Sequence, residues 1–259
     1  MMCVSWKRGW WIFPLVGALS LCRPAGAAGD GTLAEKLCAQ YDAVQTLQCQ
    51  LRRDTEAAAG SLRKLSRIYF QRTDKLHVDN VVPLKRRIVS DGELFQSFIV
   101  GDPKGFSRPV AKLDRDMLLS LRQVPGTAME HLLRLQGVAE TNLPPAEGFP
   151  VRRGYDTGKN FVVLALDASN RLARADFFAT SAQQQRIARW DYSQFQEVAP
   201  GVAIPCLHQA LITIKGVESR ETVHVDNLVV NQAIPANLFQ PALFFKGVEF
   251  VDRFEDIYH

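Results

Sequence analysis

The chain has 259 residues, of which 47% are hydrophobic and 22% are charged. This length and apolar content allow one substantial core, and they exclude a wholly disordered chain. The formal net charge is +4 at pH 7, but no dense basic stripe interleaved with aromatic residues occurs, so the sequence predicts no nucleic-acid partner.

Residues 1–27 have the pattern of a secretory signal peptide. Basic residues precede an apolar run from Gly9 to Cys22, and Ala25-Gly26-Ala27 fits the small-x-small cleavage rule. We expect export, cleavage after Ala27 and a single domain over residues 28–259. A lipoprotein signal ending at Cys22 is the alternative, although Leu21 is larger than the residue usually found before a lipidated cysteine.

Cys38, Cys49 and Cys206 remain after this cleavage. An oxidising compartment permits a disulfide bond, and Cys38–Cys49 would tie the first helix to the first strand. The alternative is that the three thiols are small buried apolar groups.

The first predicted element is an amphipathic helix from Thr32 to Thr46. Thr32 is a candidate N-cap, and Glu35 stands three residues later, as in a capping box. The single apolar stripe predicts docking on a sheet. A strand from Leu47 to Arg53 is expected to follow.

Residues 66–100 predict a β-meander. Short apolar or β-branched runs alternate with turn residues, and Asp91-Gly92 is the strongest hairpin signal in the chain. A loop is expected over residues 101–105. An apolar helical insertion is predicted over Leu113–Leu135, in two pieces broken at residues 124–126 and placed as a cover for the concave side of a sheet.

Five more strands are predicted after a Pro/Gly-rich linker at Thr141–Pro150: Asn160–Asp167, Leu172–Thr180, Arg186–Phe195, Cys206–Lys215 and Glu221–Val230. Short turns join them, so the pairing should be antiparallel. About ten twisted strands tend to curl. The predicted fold class is therefore α+β but mainly β, an incomplete antiparallel β-barrel (a curved half-barrel sheet) whose helices form a lid over the concave apolar face. Such a concavity suits an apolar ligand.

No catalytic or cofactor motif emerges from the sequence, so we expect neither an enzyme nor a cofactor. His77-Val78-Asp79-Asn80 recurs as His224-Val225-Asp226-Asn227. On a strand, His and Asp two apart share a face. Two such pairs brought together could hold a metal ion, and the alternative is a pair of strand ends with a polar outer face.

Several short motifs, taken in order, resemble the periplasmic outer-membrane lipoprotein carrier and lipoprotein-sorting (LolA/LolB-like) superfamily. They are the hairpin Val89-Ser90-Asp91-Gly92, the strand end Phe70-Gln71-Arg72, the segments Trp190–Tyr192 and Pro200–Pro205, the closing Val229–Phe239 and the terminal Lys246–Asp252. The resemblance covers roughly Thr32 to Asp252. Thr73 stands where the family has proline.

This resemblance implies an incomplete antiparallel barrel with a helical lid that shelters the acyl chains of lipoproteins during transfer to the outer membrane. It implies an acylated lipoprotein or lipid as cargo, transient contact with a membrane-bound donor and acceptor, and a monomer. Arg72 matches the family's arginine that helps to hold the lid closed. A non-transporting envelope sensor or structural module with the same fold is the alternative function.

The hypothesis for the site is an apolar surface shared by the sheet and the lid. Its residues are Ile68, Phe70, Phe95, Phe98, Phe161 and Phe177 on the sheet, and Leu118, Leu121, Leu132 and Leu133 on the lid. The alternative is that all ten are ordinary core residues with no cavity between them.

Overall fold

The structure, a computed structural model, describes residues 31–258. The predicted signal peptide lies outside the described residues. The strands are β1 (Thr46–Ala57), β2 (Gly60–Gln71), β3 (Lys75–Val82), β4 (Arg86–Asp91), β5 (Leu94–Ile99), β6 (Gly105–Pro109), β7 (Glu140–Leu143), β8 (Val151–Asp156), β9 (Phe161–Leu166), β10 (Leu172–Phe178), β11 (Arg186–Ala199), β12 (Val202–Ile214), β13 (Val217–Val230) and β14 (Phe250–Val251).

These strands form one sheet in the order β14-β6-β5-β4-β3-β2-β1-β13-β12-β11-β10-β9-β8-β7. Neighbouring strands are antiparallel, except that β14 pairs in parallel with β6. The outer strands β7 and β14 do not pair with each other, so the curved sheet is an incomplete barrel. The predicted mainly-β fold class is confirmed.

Short helices complete the fold. The α-helices are α1 (Leu33–Gln40), α2 (Arg115–Arg122), α3 (Met129–Leu132) and α4 (Pro241–Phe244), and the 3-10 turns are Tyr41–Ala43, Val110–Lys112, Leu133–Leu135, Ala236–Phe239 and Phe254–Tyr258. We call the side of the sheet that contacts α1 and α3 the concave face. On it, His131 contacts Trp190 of β11 and Phe177 of β10, each with its ring centroid at 5.1 Å.

Helix α1 begins at the predicted residue and ends earlier than predicted. Its capping box is present: the Glu35 amide donates to Thr32 Oγ1 at 3.3 Å, and the Thr32 amide donates to the Glu35 carboxylate at 2.8 Å. The helix stops at Gln40 and continues as a 3-10 turn. Beyond it, the Ala43 and Val44 carbonyls accept hydrogen bonds from Asn231 and Arg72 side chains instead of later helical amides.

The predicted meander is confirmed as β2 to β5, which pair consecutively. At the Asp91-Gly92 turn, Gly92 has φ +99°, a conformation that side chains with a Cβ rarely adopt. Asp91 Oδ1 accepts hydrogen bonds from the Glu93 and Leu94 amides at 2.8 Å each. Asp114 caps α2, because its carboxylate accepts a hydrogen bond from the Met117 amide at 2.8 Å.

The loop predicted at residues 101–105 and the linker predicted at residues 141–150 each overlap a short strand near an edge of the sheet. Gly105 opens β6, and Thr141 to Leu143 belong to β7. The neighbouring β8, with the sequence Val-Arg-Arg-Gly-Tyr-Asp, has no strand-like alternation. Its Gly154 lies under the ring of Phe161, where an added Cβ would come within 2.4 Å of the ring. Glycine is therefore required there by a side chain on the adjacent strand β9.

The main core lies between the concave face and the lid. Along most strands, alternate residues enter one buried cluster, which includes Leu47, Ile68, Phe70 and Leu164. Helices α1 and α3 contribute Leu37, Cys38, Met129 and Leu132 to the same cluster. Burial of these side chains is the main favourable contribution to folding.

The C-terminal segment covers part of the opposite, convex face. His77 of β3 is 1% exposed, and its Nδ1 lies 2.7 Å from the Leu238 carbonyl oxygen. The ring of Phe244 contacts the His77 ring edge-on at 4.6 Å. Val89 and Phe239 are also fully buried outside the main cluster. The C-terminal segment therefore forms a second, smaller packed layer on the convex face.

The three described cysteines are free thiols. Cys38 and Cys49 belong to the main core, and burial raises the pKa of each thiol to about 12. The structure thus supports the alternative of buried apolar groups over a Cys38–Cys49 bridge. Within residues 31–258, no helix is long and apolar enough to cross a membrane.

Candidate functional site

A cleft of about 600 Å³ opens between the lid and one end of the sheet. Its floor is apolar and includes Leu132 of α3, Leu172 of β10 and Val202 of β12. Its rim carries the polar residues Gln40, Ser169, Asn170, Arg171 and Glu197. This volume is within the range of about 300–1,000 Å³ that is usual for small-molecule sites, and the apolar floor suits a hydrocarbon.

The remaining concave face is packed against the lid. Leu121 and Leu132 are 1% and 0% exposed, and both belong to the same buried cluster as Ile68, Phe70 and Phe95. In the described conformation, lid side chains therefore fill this part of the concave face.

The structure brings most of the predicted site residues together. Eight of the ten lie in the cluster or pack against it: Ile68, Phe70, Phe95, Phe177, Leu118, Leu121, Leu132 and Leu133. Phe98 and Phe161 do not. Phe98 is three residues from Phe95 and therefore on the opposite face of β5, and Phe161 alternates with Val162 of the core. Of the ten, only Leu132 lines the cleft as described.

Sequence reasoning missed the cleft residues Leu172, Phe195 and Val202. They come from the neighbouring strands β10, β11 and β12, whose ends lie side by side at one end of the sheet. The only local signals are the turn at 167–170 and Pro200-Gly201, which mark strand ends but do not predict which ends lie side by side.

The turn after β2 anchors the lid at two points. Arg72 donates from Nε to the Val44 carbonyl at 2.9 Å and from Nη2 to the Tyr41 carbonyl at 2.8 Å. Two residues on, the Asp74 carboxylate accepts both hydrogen bonds of Arg122, the last residue of α2, at 2.9 and 3.1 Å. Bidentate arginine–carboxylate pairs are among the stronger polar contacts in proteins. Residues 72–74 therefore hold both the segment that follows α1 and the C-terminal end of α2.

Polar groups are also buried on the concave face. Tyr192 and His208 stand opposite each other on β11 and β12, with ring centroids 5.1 Å apart. His208 Nε2 lies 3.1 Å from the Pro205 carbonyl oxygen, and burial lowers the His208 pKa to about 4. Burial raises the pKa of Tyr192 well above its usual value. Both groups are therefore neutral at pH 7.

The two His/Asp pairs do not come together. His77 and Asp79 share the convex face of β3, where Nε2 and Oδ2 are 3.3 Å apart. His224 and Asp226 lie on β13, separated from β3 by β2 and β1. Three strand spacings amount to about 14 Å. Among the described residues, no group of three or more His, Cys, Asp or Glu side chains could hold a metal ion.

No family model matches the sequence, and no curated protein matches it either. Solved structures match its fold. A LolA superfamily protein from Nitrosomonas europaea is 12% identical, with a TM-score of 0.50 over 81% of this chain and 98% of its own. A putative outer membrane lipoprotein-sorting protein domain from Vibrio parahaemolyticus is 11% identical, with a TM-score of 0.50 over 82% of this chain and 96% of its own.

The chain has a LolA-like fold. A DUF1329 family protein from Desulfovibrio piger has the same likeness, at 12% identity and a TM-score of 0.52 over 82% of this chain and 95% of its own. At these identities the likeness establishes the fold alone. Within this LolA-like fold, the lid anchors, the cleft and the buried polar groups are features of this chain's own residues.

Proposed function

We propose that this protein is an exported, periplasmic carrier or sorting protein that shelters the acyl chains of lipoproteins or lipids against the concave face. It acts by binding and not by catalysis, as a monomer that transiently contacts a membrane-bound donor and acceptor. The single observation that supports this most is the apolar-floored cleft at the edge of a lid that closes an apolar half-barrel.

The closed lid gives this proposal a physical mechanism. Each buried CH₂ group contributes about 0.8 kcal/mol, so a soluble carrier needs a large apolar surface to extract an acyl chain. It must also release the chain. In the described conformation, lid residues such as Leu132 occupy the concave face and compete with the ligand. Such competition lowers the apparent affinity to a value that permits transfer.

The test is uptake of a fluorescent acyl probe by the purified protein, together with native mass spectrometry for copurified lipid or acylated protein. Gln40 lines the cleft and Ala39 does not, although both are exposed on α1. Gln40→Trp should place a ring in the cleft mouth. Displacing about two buried CH₂ groups would cost about 1.6 kcal/mol, which is roughly a tenfold loss of probe affinity.

Ala39→Trp is the matched control and should bind the probe like the wild-type protein. Equal affinities for both variants would place the probe outside the cleft. A protein without copurified lipid and without probe uptake would support the second candidate, a non-transporting sensor or structural module. The filled concave face favours that candidate.

Arg72→Leu should loosen the lid without unfolding the domain. It removes two hydrogen bonds to the Tyr41 and Val44 carbonyls, worth about 1–3 kcal/mol together. We expect faster association and faster dissociation of the acyl probe in stopped-flow fluorescence. Arg67→Leu, at an exposed position on β2 shortly before that turn, is the control. Unchanged probe kinetics in Arg72→Leu would contradict a role for Arg72 in holding the lid closed.

A further inference from the structure

One buried hydroxyl group on the concave face has no polar partner. Tyr192 is 4% exposed, and its Oη makes no hydrogen bond within residues 31–258. Four other buried side-chain atoms in this range also lack a hydrogen bond, but each lies 3.3–3.7 Å from a group of opposite charge type, a carboxylate or a guanidinium: Arg52 Nε, His77 Nε2, His131 Nε2 and Glu221 Oε1. A buried hydroxyl without a partner destabilises the folded protein, so the retention of Tyr192 calls for an explanation.

The neighbouring His208 does not satisfy this hydroxyl. Its ring stands edge-on to the Tyr192 ring, at an interplanar angle of 72°. The Pro205 carbonyl oxygen 3.1 Å from His208 Nε2 can only accept, so the proton of the neutral imidazole is on Nε2. Nδ1 is then an acceptor, but Tyr192 Oη does not donate to it. The pair therefore leaves one free, uncharged donor on the concave face.

Tyr192 lies close to the wall of the cleft. Pro205, whose carbonyl oxygen holds His208, is one of the residues that line the cleft. Besides burial, the charges of Glu130 and Tyr41 raise the pKa of Tyr192, and Tyr41 also lines the cleft. Because such electrostatic effects fall off with distance, Tyr41 and Tyr192 are near neighbours.

The backbone of β11 brings Tyr192 and the cleft to the same side of the sheet. Regular alternation would place Tyr192 and Phe195 on opposite faces, since they are three residues apart. Between them, Gln194 has φ +53°, a conformation that is uncommon outside glycine. Tyr192 belongs to the main core, and Phe195 packs against the same core while lining the cleft. The irregularity at Gln194 therefore places the hydroxyl at the inner end of the cleft.

An uncharged hydrogen-bond acceptor is the ligand group that suits this position. A charged headgroup would lose its hydration there without gaining a counter-charge, because Tyr192 and His208 are both neutral at pH 7. An anion would also be repelled by Glu130, which acts on Tyr192 electrostatically. The carbonyl oxygen of an ester or amide accepts a hydrogen bond without carrying a charge, and the chain attached to it would lie on the apolar floor of the cleft.

We propose that Tyr192 Oη donates a hydrogen bond to the ester or amide carbonyl of an acyl chain bound in the cleft. Lid side chains such as Leu132, which belongs to the core and lines the cleft, give way as the chain enters. Binding thus provides the partner that the hydroxyl lacks in the free protein. This contact rests on the proposed acyl-binding function and narrows the cargo to chains joined through an ester or amide carbonyl.

The experiment compares three fluorescent amphiphiles that have the same chain length and differ only at the linkage: an acyl ester, an acyl amide and an alkyl ether. The wild-type protein should bind the ester or the amide about fivefold more tightly than the ether, as expected for one additional hydrogen bond. The tighter of the two carbonyl probes identifies the linkage. Tyr192→Phe should bind all three with the affinity of the ether. Its melting temperature should be unchanged or higher, because the unpaired hydroxyl has been removed.

Tyr155→Phe is the matched control. Tyr155 is also buried, but its hydroxyl accepts from the Ala34 amide at 3.0 Å and donates to the Glu140 carboxylate at 2.9 Å. This variant should melt at a lower temperature and keep the preference for carbonyl probes.

Equal binding of all three probes by the wild-type protein would overturn the carbonyl contact while supporting the binding of apolar chains. A carbonyl preference that persists in Tyr192→Phe would overturn the role of this hydroxyl in the same way. Failure of all three probes to bind would overturn both this contact and the proposed function.

Discussion

Replacing Phe70 with alanine is expected to lower the free energy of unfolding by about 3–5 kcal/mol. Phe70 is 1% exposed and stands between Leu47 of β1 and Leu76 of β3, both of which are buried in the same cluster. The sheet backbone on either side is hydrogen-bonded and cannot collapse into the space, so the cavity should persist. Urea unfolding followed by circular dichroism measures the loss.

Phe98→Ala is the comparison for this experiment. Phe98 is half-buried on the opposite face of β5 and lies outside the main cluster. Its removal should cost only roughly 1–2 kcal/mol, because part of the ring is already in water and the ring lies outside the main cluster. Similar losses for the two variants would show that the concave face is not where most of the stability resides.

Acidification from pH 7.5 to pH 5 is expected to cost the protein about 2 kcal/mol of stability through His208 alone. His208 is 5% exposed, and burial lowers its pKa from 6.5 to about 4. The unfolded chain therefore binds a proton near pH 6.5 while the folded protein resists it. The stability is fully present above pH 6.5 and is lost as the pH falls towards 4.

Urea unfolding at both pH values, on the wild-type protein and on His208→Gln, isolates this contribution. Glu130 and Arg53 act on His208 electrostatically, with opposite effects on its pKa, and His131 lowers it. Burial also lowers the His131 pKa, and Glu221 has a raised pKa that acts in the opposite direction. These groups remain in the variant, so the difference between the two proteins reports His208. An unchanged pH dependence in His208→Gln would contradict a buried neutral imidazole.

Local chemistry determined the elements that the sequence predicts correctly. Thr32 and Glu35 specify the start of α1, because their side chains satisfy backbone groups within the same turn. Asp91-Gly92 specifies the β4–β5 hairpin, because its backbone conformation is set by those two residues. The ordered motifs around them also predicted the fold to which the solved structures are similar.

Pairing between neighbouring strands and alternation along each strand determined what the sequence did not reveal. The strand β8 exists although its sequence does not alternate, because Phe161 covers Gly154 and β9 supplies the hydrogen bonds. The sequence predicts Phe98 and Phe161 on the apolar sheet surface, but strand alternation places both on the opposite face.

The candidate site depends most on tertiary structure. The apolar residues of strands and lid are visible in the sequence because hydrophobic burial follows composition and periodicity. The cleft and the two lid anchors at residues 72–74 depend on which strand ends and faces meet. Pairing across a sheet joins residues far apart in the chain. No local sequence pattern specifies which strands pair, so these features are seen only in the folded structure.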